Sequence, residues 1–240
     1  MPSITDSTLD SFITTSRTPP RPLATSTNII DRDSTFIAYI FRATSRTQAA
    51  SCVSHVRHVM HADRPATHEM SAWRCVMLKH GKTGLDGPDD FEEVMGHDDD
   101  GETYGSSRVL GVMEKEGVLD AVVVCSRWYG GTMLGPVRFA HIEKCVLEVC
   151  HTFKTIEQIE DCIIELKSYD ETLAKLRAEI ATLQGTSPPQ LTPTDYKTAL
   201  LTPPDSAKAQ RLLNARRSAV DGLQRTLELK KQAANTSPGP

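Results

Sequence analysis

The most constraining feature of this chain is a short one: Ala121-Val122-Val123-Val124-Cys125, five apolar residues without polar alternation. A strand with one wet face alternates, so an unalternated run of this length suits a central strand, covered on at least one face and paired on both edges. The rest of the fold must supply those partners. They can come only from residues 34–150, which hold 52 apolar residues of 117, against 9 of 33 in residues 1–33 and 5 of 21 in residues 185–205. About 117 residues are enough to bury one ordinary core.

Within that stretch the pattern alternates between strand and helix. Phe36, Ile37, Tyr39, Ile40 and Phe41 make a β-rich run. From Ser45, a candidate N-cap, Ala49, Cys52, Val53, Val56, Val59 and Met60 recur at helical spacing until Pro65. Ala72 to Leu78 predicts a second strand, and the polar loop from Lys79 to Gly96 has room for a short edge strand at Phe91 to Met95. A helix capped by Thr103 follows, ending at Gly117, and Pro136 opens a third with Phe139, Ile142, Val146 and Val149 on its stripe. This order predicts an α/β (α+β) two-layer sandwich over residues 33–150.

The flanks differ in kind. Residues 1–28 contain 16 Ser, Thr or Pro, so residues 1–32 are expected to be a disordered leader, as is a tail over 234–240. Ile156, Ile159, Ile163, Leu166, Tyr169, Leu173, Leu176, Ile180 and Leu183 step as a heptad seam with one slip, predicting a coiled-coil-like helix over 151–184. Five prolines make 185–205 a linker, and Leu213, Val220, Leu223 and Leu227 mark a second helix over 206–233. The two helices either zip into an antiparallel hairpin or pair with another chain through residues 156–229.

Composition excludes several classes. No apolar run approaches a membrane span of roughly 18–20 residues, and the N-terminal stretch lacks a secretory signal, while Asp6 and Asp10 argue against a mitochondrial presequence. A cytoplasmic protein is expected. The six cysteines form no CxxC pair and are expected as buried hydrophobes rather than disulfides or zinc ligands. The net charge of −4 argues against whole-chain attraction to nucleic acid. Nine acidic residues without a Lys or Arg fall between Asp86 and Glu102.

Two loops feeding helix N-termini hold the unusual residues. One is Asp98-Asp99-Asp100-Gly101-Glu102-Thr103; the other is Arg127-Trp128-Tyr129-Gly130-Gly131, with Gly135 and Arg138 beyond. Free N–H groups and a positive helix end collect ligands at such places. Gly130 and Gly131 either let the backbone approach an anion, with Arg127 and Arg138 supplying charge, or merely permit tight turns while Arg127 pairs with an acid of the first loop. Three adjacent aspartates suit a calcium loop poorly, leaving a magnesium site with a phosphate at Asp99 or Asp100 or, alternatively, stabilisation of the helix start together with pairing to Arg127 or Arg108. His55, His58 and His61 read as a solvated helix face; His68 reads as a structural residue bridging backbone in a turn. Five Ser/Thr-Pro pairs, at Thr18, Ser187, Thr192, Thr202 and Ser237, are candidates for proline-directed phosphorylation. No nucleophile elbow or Walker A motif is present, so no enzyme activity and no cofactor are expected.

At these same loops the chain resembles the IMPACT family, whose signature is a DDGE turn followed by RW/Y-x-GG-x-x-LG. The matching residues are Asp99-Asp100-Gly101-Glu102-Thr103 and Ser126 through Pro136, with Arg138-Phe139 and His141-Ile142 similar to the eukaryotic branch. Ser34 to Ala38 and Ala66-Thr67-His68 are weaker matches. The resemblance implies a domain like the second domain of a small-subunit ribosomal protein. It also implies a translational regulator that competes for the co-activator of the amino-acid-starvation kinase and associates with ribosomes and actin. The leader reads as too short and polar for the RWD domain that binds that co-activator. Ser106-Ser107, Val137 and Ala140 also depart from the family pattern. The leading expectation is a non-enzymatic, translation-linked regulator binding protein or ribosome. The alternatives are a phosphate-ester or nucleotide enzyme using the two loops and a coiled-coil scaffold.

Overall fold

The computed structural model describes residues 19–187 and 194–236. Thr18, Pro188, Pro189, Thr192, Pro193 and Ser237 lie outside them, as do residues 1–18 of the expected leader. The chain divides into two units, Met1–His151 and Thr152–Pro240.

The first unit is built on an antiparallel sheet. Its strands are β1 (Ala24–Thr25), β2 (Ile29–Asp31), β3 (Ser34–Arg42), β4 (His68–Leu78), β5 (Phe91–Asp98) and β6 (Ala121–Trp128). The order is β1-β3-β6-β4-β5, with β2 also on β3. Helix α1 (Arg46–His55) links β3 to β4, and α2 (Gly105–Lys115) links β5 to β6. Each connection joins parallel strands separated by one antiparallel neighbour, giving two split βαβ units in a β-α-β-β-α-β chain.

The run at Ala121 is the middle of this sheet. β6 pairs with β3 on one edge and β4 on the other, and every residue from Ala121 to Arg127 is buried. Its faces have separate covers. Tyr39, Phe41, Val122 and Val124 pack with Ala49 and Cys52 of α1 and with Val56 just beyond its end. On the opposite face, a Cβ at Gly105 of α2 would meet the Met70 sulfur, and Arg74 Nη1 donates to the Met113 and Val118 carbonyls. His141 and Cys145 of α3 (Val137–Gln184) lie against Phe36 there too. Helices therefore cover both faces: the α+β class expected from the sequence holds, with an antiparallel sheet, and the expected two-layer arrangement is corrected to a helical layer on each side. The physical reason is the unalternated run, which has no polar face to leave in water.

Residues 24–31, assigned above to a disordered leader, form β1 and β2 and close the outer edge of β3. Arg32 and Asp33, with φ of 45° and 63°, make the tight turn into β3, the twist a two-residue hairpin requires. The helix at Val56 changes character: residues Val56–Met60 form a π-helical turn, closed by His61 N on Val56 O at 3.0 Å. The extra residue per turn rotates the stripe. Val59 is consequently 62% exposed while His61 is buried, so the expectation of a solvated His61 is also corrected. Five of the cysteines are buried and all six are free thiols.

The helix expected to begin at residue 151 is part of α3, since no Pro or Gly interrupts Val137–Gln184. Gly185, at φ 67°, ends it in a Schellman motif, with Thr186 N bonding Ala181 O at 2.9 Å.

In the second unit, α3 from residue 152 onward packs with α4 (Tyr196–Leu201) and α5 (Ser206–Thr236). α4 lies inside the span expected to be a bare linker. Its Tyr196 and Leu200 join Ile159, Ile163, Leu166, Ala209 and Leu213 in one cluster. The antiparallel hairpin is not what forms. Arg216 Nε pairs with Asp170 at 2.7 Å and Lys231 with Glu179 at 3.3 Å; both numbers rise together, so α5 runs parallel to α3. The Tyr196 hydroxyl bonds Asp170 at 2.6 Å, holding the returning chain to α3. No described helix is long and apolar enough to cross a membrane.

Spin labels at positions 179 and 231 in a Cys162→Ser background test this direction. Parallel packing predicts a separation near the ~8–10 Å interaxial spacing lengthened by the label arms. An antiparallel pair would place the labels roughly 30 Å farther apart at 1.5 Å rise per residue.

Candidate functional site

The end of β6, the start of β4 and the loops before α2 and α3 converge on a cleft of about 400 Å³. Its lining includes Gly101, Glu102, Thr103, Arg127, Tyr129, Gly135 and Arg138 from the two sequence loops, joined by Thr67, His68, Met133 and Leu134. Glu102 is the pivot. Its side chain is 6% exposed; Arg127 Nη1 donates to Oε2, and Arg138 Nε donates to Oε1 at 2.7 Å. His68 Nδ1 bonds the Asp100 carbonyl at 2.9 Å, which leaves its Nε2 4.0 Å from Glu102. The structural role expected for His68 and the pairing of Arg127 with the acidic loop are both present.

Asp99 and Asp100 are not among the residues that line the cleft; both are half-buried, and other partners take up their carboxylates. Asp99 Oδ1 accepts from Ser106 N at 2.8 Å and Ser106 Oγ at 2.6 Å, and Oδ2 accepts from Tyr104 N at 3.0 Å. It therefore caps α2 from five residues upstream of Tyr104. The cap expected from Thr103 is corrected: the helix starts at Gly105, after Tyr104 turns the chain with φ 68°. Desolvation pushes the Asp99 carboxyl up, but the bonds from Ser106 and Tyr104 outweigh it and hold the group below the ordinary aspartate value.

Asp100 belongs to a second network. Its Oδ2 accepts from Glu69 N at 2.8 Å, and Arg57 Nη2 reaches Oδ1 at 2.8 Å. Arg57 Nε also bonds Glu69, whose other oxygen lies 2.8 Å from His61 Nδ1; His61 Nε2 in turn meets the Tyr39 hydroxyl at 3.0 Å. Nothing in the sequence pattern singled out Glu69 or Tyr39, because their partners come from three different elements. Thr67 was visible only within a weak motif match; its hydroxyl accepts from Tyr129 N at 3.0 Å.

Of the remaining candidates, Trp128 points to the other side of the sheet. Its Nε1 donates to Arg64 O at 3.1 Å, and its ring stands edge-on to His61. Gly130 N donates to Ser34 Oγ at 3.1 Å, and a Cβ there would fall 2.1 Å from the Asp33 carbonyl carbon. That glycine is required by the hairpin turn pressed against it. Gly131 has φ 86° and open space around its missing Cβ. Among the described residues, no group of three or more His, Cys, Asp or Glu is placed to hold a metal ion.

The loops that build this cleft define an Impact N-terminal domain, whose family model matches residues 32–150. Through it the chain belongs to the IMPACT family. It is 37% identical over 120 residues to the Protein IMPACT homolog of Saccharomyces cerevisiae, covering 50% of this chain and 42% of that protein. An IMPACT family member of Schizosaccharomyces pombe is 34% identical over 133 residues, covering 55% and 39%, and Protein IMPACT of Rattus norvegicus is 34% identical over 134 residues, covering 53% and 37%. The match thus spans about two fifths of the length of these relatives. A solved structure of the two-domain translational regulator Yih1 is 34% identical, covering 52% of this chain and 44% of that chain, with a TM-score of 0.34.

Two outcomes follow from the site. Gly130→Ala is expected to cost about 1–3 kcal/mol, as overpacking does, whereas Gly131→Ala should cost only roughly 1 kcal/mol from its left-handed backbone; urea denaturation compares them. Because the folded Asp99 pKa is depressed, its stabilisation is present above the unfolded value and lost as pH falls through the folded one, below the ordinary 3.8. Thermal melts between neutral pH and pH 3 should show a shallower acid loss in Asp99→Asn than in the parent.

Proposed function

We propose that this chain is a non-enzymatic, cytoplasmic regulator linked to translation and to the amino-acid-starvation response, acting by binding protein or ribosome. The observation that carries the proposal is the fate of the family's acidic signature. Asp99 caps α2, Asp100 bonds Arg57 and the β4 backbone, and Glu102 is shared by two arginines. A phosphate-ester enzyme would need one of these carboxylates free to carry a metal or move a proton. Taken up by these partners, they stiffen a loop cluster that presents a fixed surface, which is the need of an interaction module.

Membership in the IMPACT family supports the translational direction, and the partners that the resemblance implies are translation-linked proteins, the ribosome and actin. The helical unit favours a docking role over a scaffold, because Ile159, Ile163, Leu166 and Leu213 of the seam are already covered by α4 and α5. Residues outside the seam, such as Ile164 and Leu229, each 67% exposed, remain to meet a partner.

Sucrose-gradient sedimentation of cell extracts at low salt, paired with affinity recovery of the tagged full chain, tests this. Co-migration with ribosomal fractions and recovery of translation factors are expected. A chain that stays at the top of the gradient and recovers no such factor ends the proposal.

A further inference from the structure

The floor of the cleft carries more positive than negative charge. Arg127 and Arg138 share the single carboxylate of Glu102. The Arg127 side chain is 7% exposed, and its Nε has no hydrogen-bond partner. A buried cation with an unmade bond is costly, and an oxyanion entering beside it would offset the excess charge. The Arg138 side chain is less enclosed, at 24% exposure, and so presents part of its guanidinium to the cleft. α3 begins at Val137, two residues after the cleft-lining Gly135, which adds the positive end of a helix to the same space.

The mouth has a different chemistry. Tyr129 is 42% exposed and Met133 79% exposed, and both line the cleft together with the buried Leu134. The Arg127 guanidinium lies 5.5 Å from the Tyr129 ring and helps hold it in place. An aromatic face and a thioether above a cationic floor suit a flat ring attached to an anion. A volume of about 400 Å³ falls within the usual range for small-ligand sites and greatly exceeds a bare phosphate.

We infer that this cleft binds a nucleoside monophosphate, with the phosphate against Arg138 and Arg127 and the base on Tyr129. Glu102 then has two functions: it positions both arginines and sets the affinity by competing with the phosphate for them. The site's occupancy does not depend on the chain reaching a ribosome, so its test stands apart from sedimentation.

Calorimetry and amide NMR of the full chain with adenosine monophosphate, adenosine and inorganic phosphate separate the contributions. Adenosine monophosphate should bind at least ten-fold more tightly than either fragment, moving the amide signals of Thr67, Gly101, Thr103 and Gly135. Arg138→Met should weaken it ten-fold or more, and Tyr129→Ala, at an exposed position, should reduce it toward the affinity of inorganic phosphate. Glu102→Gln should tighten it, an effect that a purely structural ion pair would not produce. No binding at millimolar nucleotide, or equal binding by the parent, Arg138→Met and Tyr129→Ala, overturns the inference.

Discussion

The structure of the first unit depends on one strand that has no wet side. β6 is hydrogen-bonded along both edges and covered on both faces, so β3, β4, α1, α2 and the start of α3 are all arranged around it. Such a strand stabilises strongly but leaves its polar groups few places to go. Its C-terminal end is one of them, and there Arg127 meets Glu102. The cleft is thus a consequence of the core: the buried strand delivers a cation to the sheet end, and a carboxylate from the α2 loop must follow it in, because an unpaired buried charge would be far more costly.

The acidic loop is best understood from the same balance. Its carboxylates stand close together in sequence, yet they repel little because each is turned to a different partner. Asp99 takes the α2 backbone, Asp100 takes Arg57 and β4, and Glu102 takes the two arginines. The loop bends sharply to achieve this, with positive φ at Asp100, Gly101 and Tyr104. What reads as a charge cluster in one dimension is a three-way anchor in the folded chain. Around the cleft Thr103 and Tyr129 are exposed and Arg138 is half-buried.

Much of this was legible in advance. The strand at Ala121, the helix after Ser45 and the two loops followed from local patterns, while the pairing of Arg127 with an acid was one of two readings that the pattern left open. The π-helical turn did not, since it shifts the phase of a stripe without any Pro or Gly to announce it, and with it His61 moves from solvent to a buried network with Glu69 and Tyr39. The short strands before Ser34 were hidden for a related reason. Ala24–Thr25 and Ile29–Asp31 are too short to show a period of their own and are strands through their pairing along the open edge of β3.

By itself, the sequence determined which segments would be strand, helix or loop wherever periodicity was strong, and which two loops would carry the unusual chemistry, because these are properties of neighbouring residues. Tertiary structure alone decided which helix covers which face of the sheet, that each carboxylate of the acidic loop takes a different partner, and that α5 runs parallel to α3. A heptad seam records only that one face is apolar. The direction of the partner came from Tyr196 and Leu200, whose burial against α3 brings the chain back along the helix before α5 begins.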